Sequence, residues 1–435
     1  MKAICRIFFF IYCSAVSAEI SFAQSNPLFV QLGLAKGALY KPDSGPAPHV
    51  AVLIAHRSGN FMSHIATTEL AGRGFMVLGL NTRFENNEPN VIFEDVALDI
   101  RAGVEFLRKQ SGIKKIILFG HSGGGSTMTF YQAVAEKGPV ASQGREKIVQ
   151  GDSQKLNGFP PADGVILADA HPGTSVNFLR ALDAMLINED NYLKLNPMLD
   201  PFSPASGFNA DGPFAYTPEF KQKYHEAQSE RMNRLIDKAM DLSRKITAGE
   251  HTYRDDDIFL VFRGSGGGLK SRDLSIHDVT LKPCRLLKND GTIVTQIIKS
   301  VREPDNQRTS GVNSDGISFN STRVFTVRSF LSTIAIRSTN SIDGINWASA
   351  NNSVPNNVQS ISVPLLVTAM GAYSFIRDNE IHYEMAASAD KEFIIIEGAT
   401  HNIEPYRPRN GNPDIYSNVT RNYFDYVARW INKRY

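Results

Sequence analysis

One short segment of this 435-residue chain has the residue types and spacing for covalent chemistry. It is Gly120-His121-Ser122-Gly123-Gly124-Gly125, a G-x-S-x-G pattern. An apolar run of strand length, Lys115-Ile-Ile-Leu-Phe119, precedes it, and a helix is predicted from Ser126 to Ala135. A serine at such a strand-to-helix turn projects its hydroxyl above the sheet edge, where it can attack a carbonyl carbon, while small neighbours let the backbone turn without clashes. The amide of Gly123, at the start of the helix, can donate to the oxygen that becomes negative during that attack. Two other features carry no chemistry of their own. Arg263-Gly-Ser-Gly-Gly-Gly-Leu-Lys-Ser271 is glycine-rich like a phosphate loop but lacks its Gly-Lys-Ser/Thr ending. The ten histidines are scattered without metal-ligand spacing, so neither a metal nor a cofactor is expected.

With its strand before and its helix after, the serine segment resembles the nucleophile elbow of the α/β-hydrolase superfamily, and the resemblance extends over roughly residues 30–173 and 360–435. It implies an α/β fold and the chain order nucleophile, acid, histidine. Glu397-Gly-Ala-Thr-His401-Asn follows an apolar strand and is similar to the family's histidine loop, which makes His401 the implied base. His121 is implied to be structural, packing beneath the elbow. The acid departs from the commonest pattern. The loop after the seventh strand, Met370-Gly-Ala-Tyr-Ser374, has no carboxylate until Asp378 and Glu380. Some members carry the acid after the sixth strand instead, where Asp169 stands in Leu167-Ala-Asp-Ala-His-Pro172. Asp169 is preferred, with Asp378 and Glu380 as alternatives; its task would be to hold the imidazole in one tautomer and stabilise the imidazolium. The loop His56-Arg57-Ser58-Gly59-Asn60 resembles the family's His-Gly-x segment, which implies the backbone amide of Ser58 as second oxyanion donor. Arg57 replaces the usual glycine. Its guanidinium is expected either to bind an anionic group of the substrate or to pair with a core carboxylate.

The elements that must position these residues are legible in the hydrophobic pattern. His49–Ala55, Phe75–Leu80, Lys115–Phe119 and Gly164–Ala168 are apolar throughout, as strands of a parallel sheet covered on both faces should be. Val96, Ile100, Val104 and Leu107 recur at helical spacing between the second and third of them. Strand, helix, strand in that order predicts βαβ units in a three-layer sandwich. The alternation stops after Gly173 and returns with Val363–Thr368, Glu392–Ile396 and a closing helix marked by Val419, Tyr423, Val427 and Trp430. The expected organisation is therefore a catalytic core of residues 24–173 and 360–435, interrupted by a cap or lid insertion, 174–359. Within the insertion a long helix is expected from Thr217-Pro218 to Gly249, with β-like pieces at Ile258–Phe262 and Thr292–Thr295. Its aromatic residues, Phe202, Phe208, Phe214, Tyr216 and Phe220, could line a pocket for an apolar or aromatic ester or could be the cap's own core.

Composition bounds the rest. Lys plus Arg number 46 against 44 Asp plus Glu, with no basic run, so nothing points to nucleic acid. Residues 1–23 have the pattern of a signal peptide: Lys2 and Arg6, an apolar stretch from Ile7 to about Ala18, and Ser21-Phe22-Ala23 before the expected cleavage. A secreted or periplasmic protein without a membrane span is the expectation. Cys5 and Cys13 fall in that leader, leaving Cys284 alone and the fold dependent on its hydrophobic core. The expected activity is cleavage of a carboxylic ester or lactone. An amidase or a carbon–carbon bond hydrolase could use the same residues, and a non-catalytic binding protein on this fold is the rival outside enzymes. The oligomeric state is open.

Overall fold

The computed structural model describes residues 26–209, 215–266, 268–304 and 321–435. The leader expected at 1–23 and Phe214 of the cap lie outside the described residues. In chain order the strands are β1 (Leu28–Leu32), β2 (Ala35–Tyr40), β3 (Val50–His56), β4 (Met76–Asn81), β5 (Lys115–His121), β6 (Gly164–Ala168), β7 (Ile258–Val261), β8 (Cys284–Leu287), β9 (Ile293–Gln296), β10 (Arg323–Thr326), β11 (Leu365–Met370) and β12 (Lys391–Ile396). The helices that matter for the site are α1 (Ile65–Ala71), α2 (Phe93–Arg108), α3 (Gly124–Lys137), α4 (Thr174–Ala181) and α5 (Pro218–Thr247), then two short turns of helix, α6 (Val327–Ser329) and α7 (Val354–Asn357), and finally α8 (Ile376–Met385) and α9 (Val419–Asn432).

Ten strands form one sheet in the order β1-β2-β4-β3-β5-β6-β11-β12-β8-β9. From β4 across to β8 every pairing is parallel, and antiparallel strands close both edges. The central strands are buried on both faces, which is why they read as unbroken apolar runs rather than alternating ones. One face carries α2, α3 and α8, packed through residues such as Ile100, Val104, Met128 and Ile376. The other carries α1 and α9, packed through Leu70, Tyr423, Val427 and Trp430. Each fully buried aliphatic side chain contributes roughly 1.5–3 kcal/mol, so the two layers fix the strand ends that bear the site. This sheet, covered on both faces and reversing strand order at its centre, is the α/β-hydrolase fold.

The segment 174–359 differs from the expected single cap in one respect. Its strands β8 and β9 do not lie over the core but extend the core sheet beyond β12. Without them β12 would present an open parallel edge, a ready template for another chain. The hairpin covers it and buries Leu286 and Leu287. The remainder of the segment builds a layer with its own core, in which Met232, Leu235 and Ile236 of α5 meet Phe259, Phe325 and Phe330. Thr217 caps α5, accepting the amide of Phe220 at 3.1 Å, with Pro218 in the first helical position. The described cap aromatics pack on one another: Phe202 on Phe208, and Tyr216 on Phe220. Phe202 and Tyr216 are buried there, so these rings pack within the segment 174–359 itself.

Candidate active site

The serine turn has the geometry its sequence implies. Ser122 sits between β5 and α3 with φ of 55°, in the left-handed region that costs a non-glycine residue roughly 1–2 kcal/mol. Its amide donates to Ala168 O at 3.1 Å, tying the turn to the end of β6. The glycines around it are steric requirements. A β-carbon on Gly120 would lie 2.6 Å from Gly124 O, one on Gly124 would strike Ala55 O, and one on Gly125 would strike the side chain of Ala170.

From Ser122 a hydrogen-bonded chain runs through His401 to Asp169. His401 Nε2 is 2.9 Å from Ser122 Oγ, and His401 Nδ1 is 2.6 Å from Asp169 Oδ2. The second oxygen of Asp169 accepts the Met370 amide at 3.0 Å, and its own amide bonds Thr368 O. These bonds to β11 hold the carboxylate at the carboxyl end of β6. Asp169 is fully buried and, like Ser122, has positive φ (45°). Burial pushes its carboxyl above the usual range, opposed by the hydrogen bond and charge of His401. Tyr373 stacks on the His401 ring at 4.3 Å, and Phe375 meets it edge-on at 5.5 Å. The two alternative acids are engaged elsewhere. Asp378 pairs with buried Arg180 at 2.8 Å, and Glu380 bonds Arg377 at 2.6 Å and the amides of Leu281 and Lys282.

Beneath His401 lies a second chain, of neutral imidazoles. The Ala66 amide donates to His64 Nδ1 at 3.1 Å, leaving His64 Nε2 to donate to His121 Nδ1 at 3.0 Å. His121 Nε2 then donates to the carbonyl of His401 at 2.6 Å. Each ring's tautomer is set by the bond before it. Burial lowers both titrations, that of His64 to about 4. His121 is thus packed under the elbow, where it holds the His401 loop.

The oxyanion side departs from expectation. The amide of Ser58 does not face Ser122. It donates to His56 Nδ1 at 3.2 Å, beside the Gly59 amide at 2.8 Å, because the loop curls around the imidazole. The Ser58 hydroxyl bonds Glu88. Arg57 forms a fork with Glu88 through Nε (3.0 Å) and Nη2 (2.7 Å), on a carboxylate at the start of a short 3-10 helix, Glu88–Asn90, rather than in the core. The Gly123 amide makes no hydrogen bond among the described residues, in keeping with a donor turned to the site. A cavity of about 380 Å³ opens over Ser122 and His401, lined also by His56, Phe61, His64 and His121. Sequence reasoning passed over His56, His64 and His171, which lie far apart in the chain and converge only when β3, α1 and β6 are brought side by side. Among the described residues no group of three or more His, Cys, Asp or Glu could hold a metal ion. None of the described helices is long and apolar enough to cross a membrane.

The sheet and the serine turn together have the arrangement of the α/β-hydrolase fold. No protein-family model matches the sequence, and no curated protein matches it. Among solved structures, the chain is similar to a hypothetical protein from Pseudomonas aeruginosa at 14% identity, covering 96% of this chain and 95% of that one with a TM-score of 0.43. It is also similar to the siderophore hydrolase EstB from Aspergillus fumigatus at 12% identity, covering 94% and 97% with a TM-score of 0.39. Against esterase B from Lactobacillus rhamnosis the identity is 21% and the TM-score 0.25, over 34% of this chain and about half (47%) of that one.

Proposed function

We propose that the protein is an exported serine hydrolase that cleaves a carboxylic ester or lactone of a small molecule. The observation that carries this is the unbroken chain from Ser122 Oγ to His401 to buried Asp169. In this reading Ser122 attacks the carbonyl carbon while His401 Nε2 takes its proton, and Asp169 keeps the Nδ1–H tautomer in place and stabilises the imidazolium. The Gly123 amide holds the developing oxyanion. His401 then protonates the leaving alcohol, and water, activated by the same imidazole, releases the acid from the acyl-enzyme. An ester fits the site better than an epoxide or haloalkane, whose hydrolysis on this fold uses a carboxylate nucleophile. Export rests on the leader expected at residues 1–23.

A p-nitrophenyl ester series of increasing chain length, run on wild type and Ser122→Ala, tests the reading, with fluorophosphonate labelling alongside. Turnover and labelling that vanish in the variant support it. A wild type inert to every ester and to the probe overturns it and favours a binding protein.

A further inference from the structure

Three nitrogen atoms converge on Gly123, the residue whose amide is the first oxyanion donor. A β-carbon placed there would collide with Nε2 of His56 and would lie 2.5 Å from Nη1 of Arg57 and 2.9 Å from Nε2 of His171. These three groups come from the last residue of β3, the loop that follows it and the loop after β6, which flank the elbow.

Their protonation follows from their backs. His56 Nδ1 accepts two amides, those of Ser58 and Gly59, so it carries no proton. A neutral imidazole with one nitrogen accepting must donate from the other, which makes His56 Nε2 an N–H. His171 repeats the device: Nδ1 accepts the Gly173 amide at 3.1 Å, so its Nε2 is also an N–H. His171 Nε2 makes no hydrogen bond among the described residues, and the residue is buried. Both rings titrate well below an ordinary histidine, chiefly through burial and then through the charge of Arg57, so they remain neutral donors. Arg57 is held by Glu88 through Nε and Nη2, which directs Nη1 to within 3.1 Å of His56 Nε2. Donor thus stands beside donor, an arrangement that an oxygen accepting from both of them relieves.

We propose that His56 and His171 are catalytic residues that donate their Nε2–H groups to the oxyanion, with Arg57 Nη1 beside them, so that side chains take the place that the Ser58 amide would have filled. The inference rests on the serine-hydrolase reading. Neutral imidazoles suit the task because they stabilise the negative oxygen without surrendering a proton that would trap it, and two loops pinned by backbone amides hold them in place before reaction. Arg57 adds positive charge to the same spot. The site therefore favours a substrate whose carbonyl oxygen gains full negative charge, as in a tetrahedral intermediate.

The test exploits the two ends of the imidazole. Asparagine reproduces the acceptor at Nδ1 but places nothing at Nε2, whereas glutamine carries an amide N–H where Nε2 stands and leaves Nδ1's partners unbonded. For the full chain, His56→Asn and His171→Asn are expected each to lower kcat on p-nitrophenyl butyrate by on the order of 10²-fold with little change in KM. They should weaken a trifluoromethyl ketone, which binds as a tetrahedral adduct, by a similar factor. His56→Gln and His171→Gln are expected to recover most of both. The opposite order, with asparagine active and glutamine inert, shows that the histidines only hold their loops and overturns the proposal while Ser122 still labels with fluorophosphonate. Wild-type kcat in all four variants overturns it equally. A wild type that neither turns over esters nor labels removes the serine reading itself, and this inference with it.

Discussion

The two flanks of Ser122 are built on different principles. On the base side, His401 and Asp169 form a line of hydrogen bonds in which Ser122 and Asp169 directly follow core strands and the Met370 amide of β11 fixes the carboxylate, with His401 brought to it by the loop after β12. On the other side, His56 ends β3 and the loop that follows wraps it, its Ser58 and Gly59 amides donating to the ring, while Arg57 of that loop is held by Glu88. A strand end is dictated by the sheet and so tolerates little variation in direction. A loop can turn its amide toward the nucleophile or toward a neighbouring ring, and here it has turned to the ring. The difference teaches that the Ser122–His401–Asp169 line is anchored by the sheet, whereas the other flank is set by what its loop carries.

The sharpest attack on the comparison removes the member common to both flanks. Ser122→Ala is expected to lower kcat on p-nitrophenyl butyrate on the order of 10⁵-fold or more, since residual catalysis from binding and oxyanion donors alone is small. A loss below about 100-fold in steady-state assays would mean that another nucleophile does the work.

Next comes a matched pair of acids. Asp169→Asn should cost roughly 10⁴-fold in kcat, because asparagine presents the wrong partner to His401 Nδ1 while the fold is kept. Asp378→Asn should behave in reverse. It leaves Arg180 buried without its carboxylate, so a stability loss of about 3–5 kcal/mol in urea unfolding is expected, with kcat within a few-fold of wild type wherever the protein is folded. If Asp378→Asn abolished turnover in folded protein while Asp169→Asn did not, the base-side assignment would move to Asp378.

This pair also marks how far the sequence could be read. Unbroken apolar runs located the six central strands to within a residue or two, because strands buried on both faces leave no other pattern. The serine turn was legible for the same local reason. The choice among Asp169, Asp378 and Glu380 was not, since all three follow core strands and only packing shows that Arg180 and Arg377 occupy the latter two. Strand β8 was missed because four residues, Cys284 to Leu287, carry too little periodicity to separate a sheet edge from a loop. The orientation of the Ser58 amide left no signal at all, because backbone direction in a loop depends on the His56 ring it wraps.

The histidines give a prediction in pH. Seven of them (His56, His64, His121, His171, His225, His277 and His382) titrate below an ordinary histidine because burial disfavours the imidazolium. The unfolded chain therefore binds more protons than the folded one as pH falls below about 6.5, and folding stability is lost on the way down to about 4, by about 1.4 kcal/mol per pH unit for each such ring. Glu94, Asp169 and Asp278 oppose this, since burial raises their titration and the folded state takes up their protons first. Seven groups against three leaves a net loss. Urea unfolding between pH 7 and pH 5 should show a falling midpoint; a flat or rising one would mean that several of these rings are charged in the fold.

The smallest expected effect is the most specific to the loop side. Glu88→Gln keeps the shape of the carboxylate but presents one accepting oxygen where Arg57 and the Ser58 hydroxyl now use two. Glu88 is partly exposed, so the ion pair itself is worth at most about 1 kcal/mol. Loss of that much orientation at Nη1 corresponds to roughly a fivefold drop in kcat/KM. The same substitution should leave the Ser122–His401–Asp169 line untouched, because no residue of that line bonds Glu88 or Arg57. The pH profile of kcat/KM on its acid limb, which reports the base, should therefore superimpose on wild type while the plateau falls. A shifted acid limb would show that the two flanks are coupled through Arg57 and are not separately built.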